Sequence, residues 1–583
     1  MVHKSGDEVV GEQSKIFICI MDTLYDRITL AVMVLCLFFV GNTAFSQPSA
    51  VSNTVHNMSV SGPGTIKAVS ENRVCVFCHT PHGASGEAPL WNRYETTTIF
   101  SIYPSGGSMQ STTGQPNGSS RICLSCHDGT AAIGIVRSQP APIAMVGTTS
   151  NGTLPPTTTN LGVSLTDDHP ISFVPSPLAP EIRHPLPNSP VKLDQTSQVQ
   201  CRSCHDPHNN QYGKFLVTDP ANGALCVTCH NLSGWDISSH GNPANTQFNQ
   251  LIGQACSSCH LSHNATASPR LLREPEETLC FSCHDGTQNQ SWETSGAVNM
   301  VNVFQKVSRH DVAFTSGIHD PGEGPMNSLP TPSSYLPEQS PVAQRHVECA
   351  DCHNAHAATT INQPGQINGS LRQVWGVSAG GTKVDPAVFE YQICFKCHSD
   401  SRNLPPNSTN TRLDFAISNA SFHPVIAPGT NSNVPGLLAP WTTSSTMNCS
   451  DCHNSDEDGS PLGPHGSNYS PILKRNYFTG IGKAELPFTY SSCYECHDRA
   501  SLYNHAVTHF SEHSRHVVND MISCYLCHTS HGTPINTHLI RFDPNNPEIH
   551  PTANGRLEYQ TTGDGHGTCF VRCHDHDHNP SIY

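Results

Sequence analysis

Along this chain hydrophobic residues seldom recur with the 3.6-residue period of a core-facing helix or the two-residue period of a half-buried strand. One apolar run stands out, Ile28 to Val40, preceded by Arg27 and followed by Ala44-Phe45-Ser46, which offers small residues for cleavage. Its thirteen residues would span about 20 Å as a helix, short of a roughly 30 Å hydrocarbon core. The run therefore predicts an export signal, with the mature chain starting near Gln47. Beyond it, Pro, Gly, Ser and Thr interrupt the pattern, so the expected structure is mostly irregular coil with short α-helices and little β-structure.

Only 36% of the 583 residues are hydrophobic, while 45 are Pro and 43 Gly, too little aliphatic material for an ordinary core. Something else must fill the interior. Acidic residues exceed basic ones by 46 to 30, which argues against a nucleic-acid partner.

The cysteines supply the missing interior. Eleven C-x-x-C-H motifs begin at Cys75, Cys123, Cys201, Cys226, Cys256, Cys280, Cys349, Cys394, Cys449, Cys493 and Cys524, and a C-x-x-x-C-H motif begins at Cys569. Their second cysteines are Cys78, Cys126, Cys204, Cys229, Cys259, Cys283, Cys352, Cys397, Cys452, Cys496, Cys527 and Cys573. The histidines that follow are His79, His127, His205, His230, His260, His284, His353, His398, His453, His497, His528 and His574. The remaining two cysteines, Cys19 and Cys36, lie in the leader. Two thiols at this spacing can each form a thioether to one haem, and the next histidine then lies beneath the iron. Zinc ribbons and disulfide frameworks explain neither the repeated histidine nor the complete use of cysteines. About twelve covalent haem c groups are expected, one per roughly 45 residues, near the size where a fold needs staples. The fold is thus a haem-cored array.

The motifs group into six pairs, their first cysteines 48, 25, 24, 45, 44 and 45 residues apart within the pairs. After a leader at 1–46, haem pairs are expected at 47–174, 175–239, 240–309, 310–422, 423–504 and 505–583. Five first-of-pair motifs carry a histidine three residues after the proximal one: His82, His208, His263, His356 and His531. On one helical turn it cannot reach round to the opposite face of its own iron, so it is free for a neighbouring haem. The expected result is a lock between the two haems of a pair. The fifth pair lacks this histidine, and His465 is the candidate substitute. Further candidate ligands flank the motifs: His56, His169, His184, His240, His310, His346, His423 and His516. The run His505, His509, His513, His516 holds more histidines than seats require. Ten methionines are too few for general Met/His ligation, so mostly low potentials follow.

The tandem pairs, the C-x-x-C-H-x-x-H motifs, and phrases such as Cys123-Leu124-Ser125-Cys126-His127-Asp128-Gly129-Thr130 and Asp168-His169-Pro170-Ile171-Ser172-Phe173 resemble the doubled C-x-x-C-H class of multihaem cytochromes. That class abounds in metal-respiring bacteria. The resemblance implies an exported protein, periplasmic, outer-membrane-associated or extracellular. Its partners would be other c-type cytochromes or quinol-linked redox proteins, with an outer-membrane porin conduit or an extracellular metal acceptor beyond. Electron conduction is the leading expectation. The alternatives are a multihaem oxidoreductase with one open-site haem, for which no catalytic residue stands out, and a homo-oligomer or haem filament.

Overall fold

A computed structural model describes residues 50–583, except 87–88, 106–108, 177, 242–254, 267–269, 287–297, 313–346, 364–365, 400–408 and 564–565. The expected leader and His346 lie outside the described residues. Among those residues no helix is long and apolar enough to cross a membrane.

Helical structure gathers at the cysteine motifs. The longest described helices, α1 (Gly118–His127), α2 (Glu276–His284) and α3 (Glu390–His398), each end on the histidine of a second-of-pair motif. First-of-pair motifs form single turns, among them Val74–Phe77, Cys201–Cys204, Cys349–Cys352 and Cys449–Cys452. One turn suffices, because it brings both thiols to one side and lets the histidine N–H reach the first cysteine's carbonyl. His79 to Cys75 is 2.8 Å and His205 to Cys201 is 3.0 Å.

After each of five such turns the chain loops out and returns over the histidine. Trp91, Leu216, Leu272, Leu473 and Ile540 bridge back to His79, His205, His260, His453 and His528. The residue before each bridge, Leu90, Phe215, Leu271, Ile472 or Leu539, has φ of 54° to 60°. This left-handed backbone is costly for a side chain with a Cβ. Two bonds offset the cost. The carbonyl one residue earlier accepts from the imidazole, as Lys214 does from His205 at 2.8 Å. The N–H one residue after the bridge donates to the second cysteine's carbonyl, as Val217 does to Cys204 at 3.0 Å.

Buried apolar side chains form small separate groups, such as Ala68, Val76 and Phe77, or Phe100, Leu124 and Leu165. Polar clamps join one motif pair to the next. Glu276 of α2 accepts from the Ala350 N–H at 2.6 Å, and Glu390 of α3 accepts from the Ser450 N–H and hydroxyl, both at 2.8 Å. Burial raises both carboxyls, that of Glu276 to about 7.

The C-terminus departs from the expected coil and short helices. Strands β1 (Ile549–His550), β2 (Glu558–Gly563), β3 (His566–Cys573) and β4 (His576–Ile582) form an antiparallel sheet, with β3 between β2 and β4 and β1 beside its end. The twelfth motif therefore lies on a strand. Its extra residue carries the histidine beyond the reach of a single helical turn, and Thr568, Phe570 and Val571 favour a pleated backbone. Ile522, Leu526, Ile549, Val571 and Cys573 pack beneath it.

Candidate functional site

The folded chain brings the motifs together in the order in which the sequence presents them. Within pairs, Cys78 neighbours Cys126, Cys204 neighbours Cys229, Cys259 neighbours Cys283, Cys352 neighbours Cys394, Cys452 neighbours Cys496 and Cys527 neighbours Cys569. Between pairs, Cys123 neighbours Cys201, Cys226 neighbours Cys256, Cys280 neighbours Cys349, Cys394 neighbours Cys449 and Cys493 neighbours Cys524. The twelve motifs make one unbranched row.

Eleven of the twelve motif histidines face a second imidazole from elsewhere. In the first-of-pair motifs the ring centroids are 6.0 Å apart for His79–His208, 6.2 Å for His205–His263, 6.1 Å for His260–His356, 6.0 Å for His353–His465, 6.3 Å for His453–His531 and 6.3 Å for His528–His513. In the second-of-pair motifs they are 6.3 Å for His127–His56, 6.2 Å for His230–His169, 6.4 Å for His284–His240, 6.1 Å for His398–His310 and 6.2 Å for His574–His516. His423 neighbours His497. Ring planes in the first group meet at 20° to 49°, and in the second at 61° to 88°.

The pairing corrects the expected lock between the two haems of a pair. His208, His263, His356 and His531 each reach the first motif of the preceding pair, and His465 does the same for the fifth pair. Successive pairs are thereby interlocked. His82, in the first pair of this sequence, lies exposed with no histidine ring beside it among the described residues. His184 is likewise exposed, whereas His169 faces His230. His513, read as one of a surplus, faces His528.

In four pairs the imidazole of one incoming histidine also holds the backbone beside the other. His56 donates to the Pro207 carbonyl (3.4 Å), His240 to Ala355 (3.0 Å), His310 to Pro464 (2.7 Å) and His423 to Ser530 (2.6 Å). Each of those carbonyls belongs to the residue before the other incoming histidine. With Nδ1 so occupied, Nε2 is the free nitrogen. The signal missed in the sequence is the returning strap, visible in hindsight as paired apolar residues before a basic one in Leu271-Leu272-Arg273, Ile472-Leu473-Lys474 and Leu539-Ile540-Arg541.

The doubled CXXCH motif family matches residues 192–233 and 250–289, and the family of outer membrane cytochrome MtrC/MtrF-like domains II/IV matches residues 383–539. The chain is a multihaem c-type cytochrome. Over 221 residues it is 23% identical to the multiheme cytochrome MtrA of Shewanella baltica, a match covering 35% of this chain and 43% of that protein. The chain thus spans less than half the length of this curated relative.

The geometry fits the cofactor. Two iron–nitrogen bonds of about 2 Å, extended by the half-width of each imidazole, place ring centroids about 6.3 Å apart, within the observed 6.0 to 6.4 Å. His574 Nε2 is buried with no hydrogen-bond partner among the described residues, leaving a nitrogen for a metal. His578 also converges on this last site, its ligand nitrogen within 4.8 Å of those of His516 and His574.

Burial, reinforced by neighbouring imidazoles, lowers three incoming histidines of the cytochrome, His169 and His356 to about 4 and His465 to about 3, from 6.5. Neutral imidazole is the metal-binding form. Unfolded chain takes up these protons near pH 6.5 and folded chain only near pH 4 or below, so stability present above pH 6.5 is lost as the pH falls through that window. Chemical denaturation followed through the haem absorption between pH 7 and 4 is expected to give a falling midpoint; a flat profile would contradict the burial of these groups.

Proposed function

We propose that the cytochrome is a linear electron conductor carrying twelve haem c groups, each seated between two histidines. The observation that carries this reading is the continuous row of twelve motifs, eleven of them with a second imidazole facing the motif histidine. The thioether anchors would be the twelve cysteine pairs. The proximal ligands would be His79, His127, His205, His230, His260, His284, His353, His398, His453, His497, His528 and His574. In the same order, the distal ligands would be His208, His56, His263, His169, His356, His240, His465, His310, His531, His423, His513 and His516. Iron in such a site supplies one-electron oxidation and reduction. The chain's own part is to hold successive sites in contact, to fill both axial positions and to keep the imidazoles neutral. Filled positions favour conduction over catalysis, which needs an open one. The relatives' printed descriptions, a multiheme cytochrome and an outer membrane cytochrome, support a place in the periplasm, at the outer membrane or outside the cell. Electrons would come from a quinol-linked protein or another c-type cytochrome and leave for a porin-bound conduit or an extracellular metal acceptor.

Magnetic resonance of the oxidised protein tests the ligation. Only low-spin iron is expected, in two populations. The less inclined imidazoles at the first-of-pair sites split the iron d orbitals that they contact more than the steeply crossed imidazoles at the second-of-pair sites, which leave those orbitals nearly degenerate. Intact mass is expected to report twelve haems. A stoichiometric high-spin signal would overturn the conductor in favour of an enzyme.

A further inference from the structure

His263 differs from the other incoming histidines in what its second nitrogen meets. His56, His240, His310 and His423 donate Nδ1 to neutral backbone carbonyls. His263 Nδ1 instead lies 3.0 Å from Asp168 Oδ1. The carboxylates near His208 and His531 stand off at 3.6 Å and 3.8 Å, beyond hydrogen-bond distance.

The Asp168 carboxylate is built into its place. Its side chain is 4% exposed. The backbone on both sides of it is tied to the His263 segment, by Ala265 N–H to the Asp167 carbonyl at 2.9 Å and by His169 N–H to the Ser262 carbonyl at 2.8 Å. Oδ1 also accepts from the Asn264 N–H at 3.2 Å, while Oδ2 is buried without a partner among the described residues. Burying a carboxylate is expensive, so its position against one imidazole calls for a function. The neighbouring residue, His169, faces His230 in the next site, so one dipeptide serves two adjacent sites.

We infer that Asp168 is a potential-setting residue: by accepting the Nδ1 proton of His263 it makes that imidazole a stronger donor and holds the iron site at Cys201 and Cys204 at a lower potential than the other first-of-pair sites. A carboxylate behind a metal-bound imidazole raises ligand basicity and fixes the ring's orientation. Stronger donation favours ferric over ferrous iron, which lowers the potential. The consequence is a local step in the energy profile at the third position of the row, built by a residue that touches no cofactor. The inference rests on the proposed seating of iron between His205 and His263.

The test uses the full-length, haem-loaded protein with Asp168→Asn, which keeps an oxygen to accept from His263 and Asn264 but removes the charge. Redox titration monitored by magnetic resonance is expected to move one haem's share of the amplitude upward by about 59 mV, equivalent to a tenfold shift toward the ferrous form. Haem count and low-spin ligation should stay unchanged. Asp168→Ala is expected to shift the same component in the same direction, and His263→Ala to convert one haem to high spin. If His263→Ala does so but both Asp168 variants titrate like the parent, the inference fails and the ligation stands. If His263→Ala leaves every haem low spin, the seating itself fails. A shift spread over all components would also overturn it, because it would mark a general structural effect.

Discussion

Secreted without haem attachment, the polypeptide is expected to show no cooperative thermal or denaturant transition, losing the whole of a typical folding free energy of about 5 to 15 kcal/mol. The apolar groups that can be named are small, for example Val374, Ala387 and Ile393, or Val377, Phe395 and Phe415. Groups of this size cannot offset a conformational entropy cost of about 1 to 2 kcal/mol per residue. The strained straps make the same point. Leu90, Phe215, Leu271, Ile472 and Leu539 sit in left-handed backbone, a conformation favoured only while the carbonyl beside each has an imidazole to hold. The facing imidazoles are 6.0 Å or more apart, so they do not support one another directly. Circular dichroism of protein produced with and without the attachment machinery would decide it. A colourless chain that melts sharply would remove the premise that haem is the core.

His208→Ala should leave its mark two motifs away. The expected outcome is one high-spin haem, at Cys75 and Cys78, because His208 faces His79. The haem at its own neighbours Cys201 and Cys204 should remain low spin, since His205 keeps His263. Carbon monoxide should bind to one haem in the reduced variant. A stability loss of about 0.5 to 3 kcal/mol is expected from emptying the site. His82→Ala, three residues past its own motif histidine but exposed, should leave spectrum and ligation unchanged. A high-spin signal traced to the haem at Cys226 and Cys229 would show that the histidines act within their own pair after all, and the interlocked row would be abandoned.

Because five of the first-of-pair histidines each face an imidazole from the following pair, successive pairs are interlocked. The clamps from Glu276 to Ala350 and from Glu390 to Ser450 cross the same junctions. Continuity of the electron row and mechanical continuity of the chain thus share one set of residues. The C-terminal end closes differently, with His513 supplied from just upstream and a sheet carrying the last motif.

The cofactor type was legible in the sequence because thioether chemistry acts over a few covalently linked residues, and C-x-x-C-H encodes it locally. The scarcity of regular structure was legible for a similar reason: proline, glycine and missing periodicity act on the backbone where they stand. Which distant histidine faces which motif was not legible. His56 and His127, or His310 and His398, meet through the path of long coils, and many pairings satisfy the same local rules until the chain is packed. Tertiary structure alone turned His208 back toward the first motif, left His82 without a facing imidazole among the described residues, brought His169 rather than His184 to His230 and set Asp168 behind His263. Each of these outcomes depends on where two segments far apart in sequence come to rest, a global property that residue spacing does not contain.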